Sequence, residues 1–224
     1  MASTLTAGNL IDVVKLKFPK MLVDGFGARA ADEVNSYMWK RYPWKVSIAN
    51  LIPFHVLQAE PDYGPPFVTI PLDFQGFHQV WLRSSDGREY KLDPKPDLQK
   101  SFTPGLPNAI AWMPKDQAFR LHPRPSFTAP DWWVEGEYKK TPTKINNENL
   151  NSFVLPYDDM YAMVFRKGLA AWFKQDTPDE MSAFQMFSGL LDEMAASEGL
   201  LAGPPQNYPD ESLANGGWEG WEGR

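Results

Sequence analysis

The sequence predicts an α+β fold: a four-helix bundle from the N- and C-terminal helices, an inserted antiparallel β-sandwich or open barrel, and an extended C-terminal tail. Three observations carry this. Apolar residues recur at three- and four-residue spacing over 9–42 and again over 158–197. Between Leu51 and about Lys140 the period shortens to two, with turn residues between the runs. From 199 onward the chain is rich in Gly, Pro and Asn and follows neither period. The division is therefore helical parts 1–50 and 156–198, a β part 51–140, a connector 141–155 and a tail 199–224.

The first helix is expected over 9–18, with Asn9 as its N-cap and Leu10, Val13, Val14 and Lys17 near one face, ending at Pro19. The second spans Gly27–Tyr42, where Ala30, Val34, Tyr37, Met38 and Arg41 keep the spacing and Pro43 stops it. The cluster Trp39, Tyr42, Pro43, Trp44 lies where this helix meets the β part and reads as a packing hinge.

Within the β part, Phe67–Leu72 reads as a strand. Phe77–Arg83 and Arg88–Leu92 flank Ser84-Ser-Asp-Gly87, a hairpin signal because Asp-Gly tolerates positive φ. Pro94–Phe102 has room for a short helical turn, and Ile110–Met113 and Ala118–His122 flank a second hairpin turn at 114–117. In 132–140 the set Trp132, Val134, Gly136, Tyr138 alternates with Trp133, Glu135, Glu137, Lys139, and the second set faces outward apart from Trp133. Five or six antiparallel strands result.

Residues 141–157 form a loop long enough to need pinning by a neighbour. Leu155-Pro156 then leads into a helix over 158–174, with Asp158 and Asp159 in its first turn. A last helix over 179–197 carries the stripe Met181, Phe184, Phe187, Leu190, Leu191, Met194. Tyr138, Leu155 and Pro156 brace the return from sheet to helices, alongside Trp39 and Trp44.

Composition removes several classes of function. With 224 residues and 43% apolar content the chain can bury a core. It has no cysteine, so disulfides and thiolate metal sites are excluded and a reducing compartment suits it. A net charge of −6 does not suit a protein that coats DNA. No apolar run has the length a bilayer requires, and the N-terminus does not read as a signal peptide; a soluble cytoplasmic product is expected. There is no phosphate-binding glycine loop, no Gly-x-Ser-x-Gly, no His-Glu-x-x-His and no calcium loop. His55, His78 and His122 lack metal-ligand spacing. No catalytic residue, cofactor or metal ligand is assigned, and an enzyme is not expected.

Charge and aromatics are unevenly spread. Residues 1–175 hold 21 basic and 18 acidic side chains, a net of +3; residues 176–224 hold one basic and ten acidic, a net of −9. The acidic end either complements a basic surface within or between subunits or serves as a solvated tail. The tail nevertheless carries Tyr208, Trp218 and Trp221, the last two in the repeat Gly217-Trp-Glu-Gly220-Trp-Glu-Gly223. Tryptophan is a typical interface anchor, worth on the order of 2 kcal/mol or more when buried in a partner. These three residues are the candidate partner-binding set, the alternative being a tail that folds back on its own subunit.

The order of elements, carried by Val34–Trp44, Trp132–Pro142 and Leu155–Trp172, resembles the head-to-tail adaptor proteins of tailed bacteriophages, of the tail tubular protein A kind, over roughly 9–197. The resemblance implies a structural virion protein, made in the host cytoplasm and placed in the neck between capsid and tail. It implies a ring, typically dodecameric, under the portal protein, which meets the next neck or tail-tube (nozzle) protein. DNA would pass through its lumen without specific binding, and C-terminal segments such as the one bearing Tyr208, Trp218 and Trp221 would reach the portal. Ring contacts are head-to-tail, so opposite sides of a subunit must be complementary. The competing reading is a carbohydrate-binding β-sandwich module of a virion or secreted protein, with Trp112, Trp132 and Trp133 stacking on sugar rings.

Overall fold

The computed structural model describes residues 5–17, 26–57, 59–66, 68–101, 103–126, 132–157, 162–175 and 177–200. Helix α1 is Ala7–Lys15 and its N-cap is Thr6, not Asn9. The Thr6 hydroxyl accepts from the Asn9 N–H while the Asn9 side chain accepts from the Thr6 N–H, a capping box that places Asn9 in the first turn. The helix therefore starts two residues earlier than its apolar spacing suggests. Leu10, Ile11 and Val14 are buried, and Val13 faces solvent.

Helix α2 is Phe26–Arg41, and a 3₁₀ turn at Lys45–Ser47 leads into strand β1, Ile48–His55. The other strands are β2 Asp62–Tyr63, β3 Phe74–Ser84, β4 Glu89–Lys95, β5 Pro104–Gly105, β6 Ala109–Met113, β7 Ala118–His122, β8 Arg124–Pro125 and β9 Trp132–Lys140. Residues 68–73 are not a strand, although Val68–Leu72 alternates acceptably; the chain turns there and β3 opens at Phe74. Residues 97–101 hold no helical turn.

Seven strands form one sheet in the order β1-β9-β3-β4-β6-β7-β2, and β5 pairs with β8. Both hairpins form as the turn residues require: Gly87 takes φ +86 between β3 and β4, and Gln117 takes φ +47 between β6 and β7. The sheet is not wholly antiparallel. β4 and β6 run parallel, as do β5 and β8. Residues 96–108 carry no hairpin signal and instead double back until Ala109 is level with Asp93, so that β6 runs in the same direction as β4.

Among the described residues the seven strands make one curled sheet, with the two-stranded β5–β8 pair beside it and no second layer of a sandwich. Phe54 on β1, at one edge, lies 5.3 Å from Tyr63 on β2, at the other, and 5.9 Å from Phe119 on β7. The first and last strands thus share one core, filled by Leu51, Val80, Leu82, Leu92, Leu121 and Val134 among others. The Tyr63 hydroxyl ties this closure by accepting from the Leu57 N–H at 3.1 Å and donating to the Glu60 carbonyl at 2.7 Å.

Helices α3, Ala162–Phe173, and α4, Glu180–Ser197, complete the fold. They share a second apolar core with α1 and α2, but the four do not make a four-helix bundle. α3 packs against each of the other three, whereas Tyr37 on α2 reaches α4 through ring contacts with Phe184 and Phe187. α1 spans only nine residues, too short for a bundle wall, and the connector adds to the core with Ile145, Leu155 and Tyr157. On α4 the stripe buries Phe187, Leu191 and Met194 but leaves Met181 65% exposed. Asp158, Asp159 and Tyr161 lie outside the described residues.

Gly168 on α3 sets the helix spacing. A Cβ there would meet Val34 Cγ1 at 2.6 Å and the Phe187 ring at 2.8 Å, so only glycine lets α2 and α4 approach this closely. The connector is pinned as its length requires. Its Leu150 and Phe153 carbonyls accept from the Gly8 and Ala7 N–H groups of α1, the Leu155 N–H donates to Leu5, and the Ile145 N–H donates to Asp32 on α2. Two of the unpaired N–H groups at the start of α1 are thereby satisfied.

Candidate functional site

The junction between helices and sheet is built on aromatic rings. Trp39, near the end of α2, donates its indole N–H to the carbonyl of Lys140, the last residue of β9, at 2.7 Å. Trp44, three residues past the end of α2, is fully buried and donates to the Met38 carbonyl at 2.5 Å. Both rings meet Tyr157 edge-on, at 6.5 and 6.0 Å between centroids. Leu155 lies in the same core and Pro156 is half-buried beside it.

Tyr138 lies elsewhere. It stacks on Phe74 in the sheet core and donates its hydroxyl to Asp73 at 2.9 Å. Asp73 also accepts from the Thr141 N–H at 2.7 Å through its carbonyl. Tyr138 therefore fixes the end of β9 to the start of β3, and the Trp39 indole meets the same end of β9 at Lys140, while Trp44 and Leu155 lie in the helical core.

Tyr157 was not picked out by spacing, yet it is the ring that Trp39 and Trp44 share. Its hydroxyl is buried without a hydrogen-bond partner among the described residues, as is Glu198 Oε2. Burial, and secondarily the Glu198 charge, raise the Tyr157 phenol above its ordinary value. Lys139 departs from its expected outward position: it is only 9% exposed, and burial, with repulsion from Lys40, pulls its ammonium down to about 8. The helical part approaches that face of β9, which alternation along one strand does not reveal.

A polar cluster stiffens the far end of the sheet. Arg120 on β7, 5% exposed, holds Asp62 on β2 through Nε at 2.5 Å and Nη2 at 3.1 Å, and reaches Asp116 at 2.9 Å and the Leu98 carbonyl at 3.0 Å. Lys100 adds a 2.9 Å contact to Asp62. Burial would raise the Asp62 carboxyl, but the hydrogen bonds from Arg120 and Lys100 outweigh it and hold the group below its ordinary value. Every charged partner here is matched, so the cluster is a clamp on the 96–101 loop rather than a reactive set.

The tryptophans proposed to stack on sugar do not offer open faces. Trp132 is 4% exposed beneath Tyr90 and Arg88. Trp112 packs on Phe74 and Phe119, and the half-buried Trp133 donates to Glu135 at 2.9 Å. Among the described residues no group of three His, Asp or Glu could hold a metal, and no helix is long and apolar enough to cross a membrane. Tyr208, Trp218 and Trp221 lie outside the described residues.

The described chain ends in a well-formed cap. Gly199 takes φ +74, its N–H donates to Ala196 at 3.0 Å, and the Leu200 N–H reaches back to Ala195 at 2.9 Å. This Schellman motif turns the chain off α4 and seats Leu200 against the helical core. A glycine directly after a periodic run is a sequence signal for such a cap.

Comparison with family models decides what this junction and cap belong to. The model described as SU10 adaptor protein matches residues 21–207. The chain belongs to the SU10 adaptor protein family. It is a phage adaptor, a structural virion component that works through contacts with other virion proteins. Comparison with curated proteins gives no match. The adaptor match takes in α2, the whole sheet, the connector, α3, α4 and the cap, and stops one residue before Tyr208.

Proposed function

We propose that this adaptor joins head to tail: copies form a ring, a dodecamer, beneath the portal protein, link the capsid to the next neck or tail-tube protein, and enclose a lumen through which DNA passes without specific binding. The family match over residues 21–207 is the observation that supports it. In this reading residues 1–50 with 156–198 act as a helical unit, 51–140 as an inserted β unit and 141–155 as the connector. Trp39, Trp44, Tyr138, Leu155 and Pro156 hold the β unit at a set angle, and that angle sets the ring geometry. The adaptor performs no catalysis; its chemistry is burial of surface at interfaces. Ring contacts are heterologous, so the two sides of a subunit must differ and complement each other.

Tyr208, Trp218 and Trp221 are the portal anchors in this reading. The test is mass photometry of the adaptor alone and with its portal, followed by affinity measurement. A ring forms on the portal. The double substitution Trp218→Ala, Trp221→Ala weakens binding at least thirtyfold, taking about 2 kcal/mol as the worth of one anchor. Unchanged affinity removes the anchors from the interface, and a stoichiometric complex without a ring removes the assembly model.

A further inference from the structure

Lysines gather where α2 meets the sheet, on the sheet face turned away from the aromatic core. Lys40 stands in the last turn of α2, and Lys45 in the 3₁₀ turn before β1. Along β9 the residues Glu135, Glu137 and Lys139 alternate onto one face. Trp81 on β3 pairs with Glu135, and Lys91 on β4 pairs with Trp81, so Lys91 shares that face. The lysines act on one another and on His78 of β3: Lys40 repels Lys139, and both Lys139 and Lys91 repel the imidazolium of His78. Lys45, His78 and Glu137 line one open cleft beside β1, which Leu200 also lines.

Three observations bear on what this face meets. First, its charge is left uncompensated. Lys40, Lys45 and Lys91 are exposed and make no ion pair among the described residues. Of the acids on the face, Glu89 and Glu135 are both taken by Arg83, which leaves Glu137 beside the four lysines. Burial foremost, opposed by Glu137 and aided by Lys139 and Lys91, holds His78 below its ordinary value, so it adds little charge at neutral pH. Second, the cations are lysines. Protein interfaces are enriched in Arg and depleted in Lys, and an ammonium is a strongly hydrated point charge on a flexible stem. Arg29, Arg41, Arg83, Arg88 and Arg120 are engaged in ion pairs within the subunit. A wet, mobile set of charges suits a phosphate backbone better than a dry protein surface. Third, a second copy has few carboxylates to offer, since Asp12, Asp62, Asp86, Asp179 and Asp192 are already paired within their own chain. The size of the face also fits. From β1 across β9 and β3 to β4 is three strand spacings, about 14 Å. One strand of duplex DNA presents a phosphate every 3.4 Å or so of axis, hence about four over that span.

We propose that Lys40, Lys45, Lys91 and Lys139 form a sequence-independent contact for the phosphate backbone of duplex DNA. Lys45 and Lys91 make the outer contacts, and Lys40 and Lys139 add positive potential between them. No base edge is read, and the contact is weak and salt-sensitive, so a duplex moves past it. The proposal rests on the ring reading only for where the DNA is met. The contact is measured on the isolated subunit, so its failure leaves the ring untouched, and a failed ring leaves the contact standing.

The test is fluorescence anisotropy of the full chain with a short labelled duplex of mixed sequence, between about 50 and 200 mM salt. Four phosphate contacts give a slope of log affinity against log salt of about −3.6, a fall of about 150-fold over that range. The double variant Lys45→Gln, Lys91→Gln reduces the slope by about 2 and lowers affinity about tenfold at the low-salt end. The control Lys17→Gln, Lys115→Gln removes the same net charge from exposed lysines elsewhere and leaves affinity within about twofold. Circular dichroism checks that both variants fold. No binding by the full chain at low salt overturns the proposal, as does an unchanged slope in the first variant or an equal loss in both. Unlabelled polyglutamate is the competitor. If it displaces the duplex as well as unlabelled DNA of equal total charge does, the face belongs to an acidic protein surface and the proposal falls.

Discussion

Replacing Gly168 by alanine separates two opposed effects. In an isolated helix the change is favourable by about 1 kcal/mol, because alanine is the better helix former. In this fold the new Cβ meets Val34 Cγ1 at 2.6 Å and the Phe187 ring at 2.8 Å, against about 3.5–4.0 Å for a relaxed carbon–carbon contact. α2 and α4 must each retreat by about 1 Å to restore that spacing. Val34 and Phe187 are both fully buried, so neither can swing into solvent. Overpacking of this kind costs about 1–3 kcal/mol, and enclosure on two sides places the cost at the upper end. The net loss is about 1–2 kcal/mol, or about 2–8 °C in Tm for a chain of this size. Thermal and urea unfolding followed by circular dichroism measure it. The double variant Gly168→Ala, Val34→Ala regains part of the loss relative to additivity, because truncating Val34 opens the space the Cβ needs. A midpoint that rises on Gly168→Ala refutes the close-packed crossing.

Three further outcomes follow from buried polar groups. Arg120→Ala removes two of the hydrogen bonds to Asp62 and leaves it Lys100 as a partner, at a cost of about 1.5–3 kcal/mol measured by urea unfolding at neutral pH. The folded Asp62 carboxyl lies below its unfolded value of about 3.9, so its contribution is full above that pH and is lost as pH falls through the folded value. Stability measured from pH 6 down to 2 therefore falls less steeply in Asp62→Asn, and an unchanged slope contradicts the clamp. Tyr157→Phe removes a buried hydroxyl that has no partner, so the variant is neutral or up to about 1 kcal/mol more stable. A loss beyond 1 kcal/mol would mean that the hydroxyl makes a hydrogen bond in solution.

Several features were legible because they are local. The two hairpins follow from Asp86-Gly87 and from the Pro114–Gln117 turn, and both formed. The spans of α2 and α4 agree with their apolar spacing to within a residue or so at each end. Trp39 and Trp44 stand out in the sequence as an aromatic pair at the exit of α2, whereas Tyr157, the ring that both meet, does not. Other features depend on partners far along the chain. The parallel pairing of β4 with β6 rests on the path of the 96–108 crossover, which has no periodicity to read. The depth of Lys139 depends on the helical part approaching the second face of β9. Met181 matches its stripe in spacing, yet it is 65% exposed, and Phe187 is the first residue of the stripe to be fully buried.

By itself the chain determined its element types, its turn chemistry, the order helix–sheet–helix, and the contrast between a mildly basic body and an acidic, tryptophan-bearing end. These are set by backbone preference, short-range periodicity and charge, all of which act within about a dozen residues. Only the tertiary structure decided that the sheet curls until Phe54 meets Tyr63 and Phe119, that the connector adds to the helical core in place of a full bundle, and that Leu200 opens onto a cleft beside β1. Each of these depends on which surfaces are left to bury once the elements exist. That is a property of the whole chain, since apolar burial rewards any close contact regardless of sequence distance.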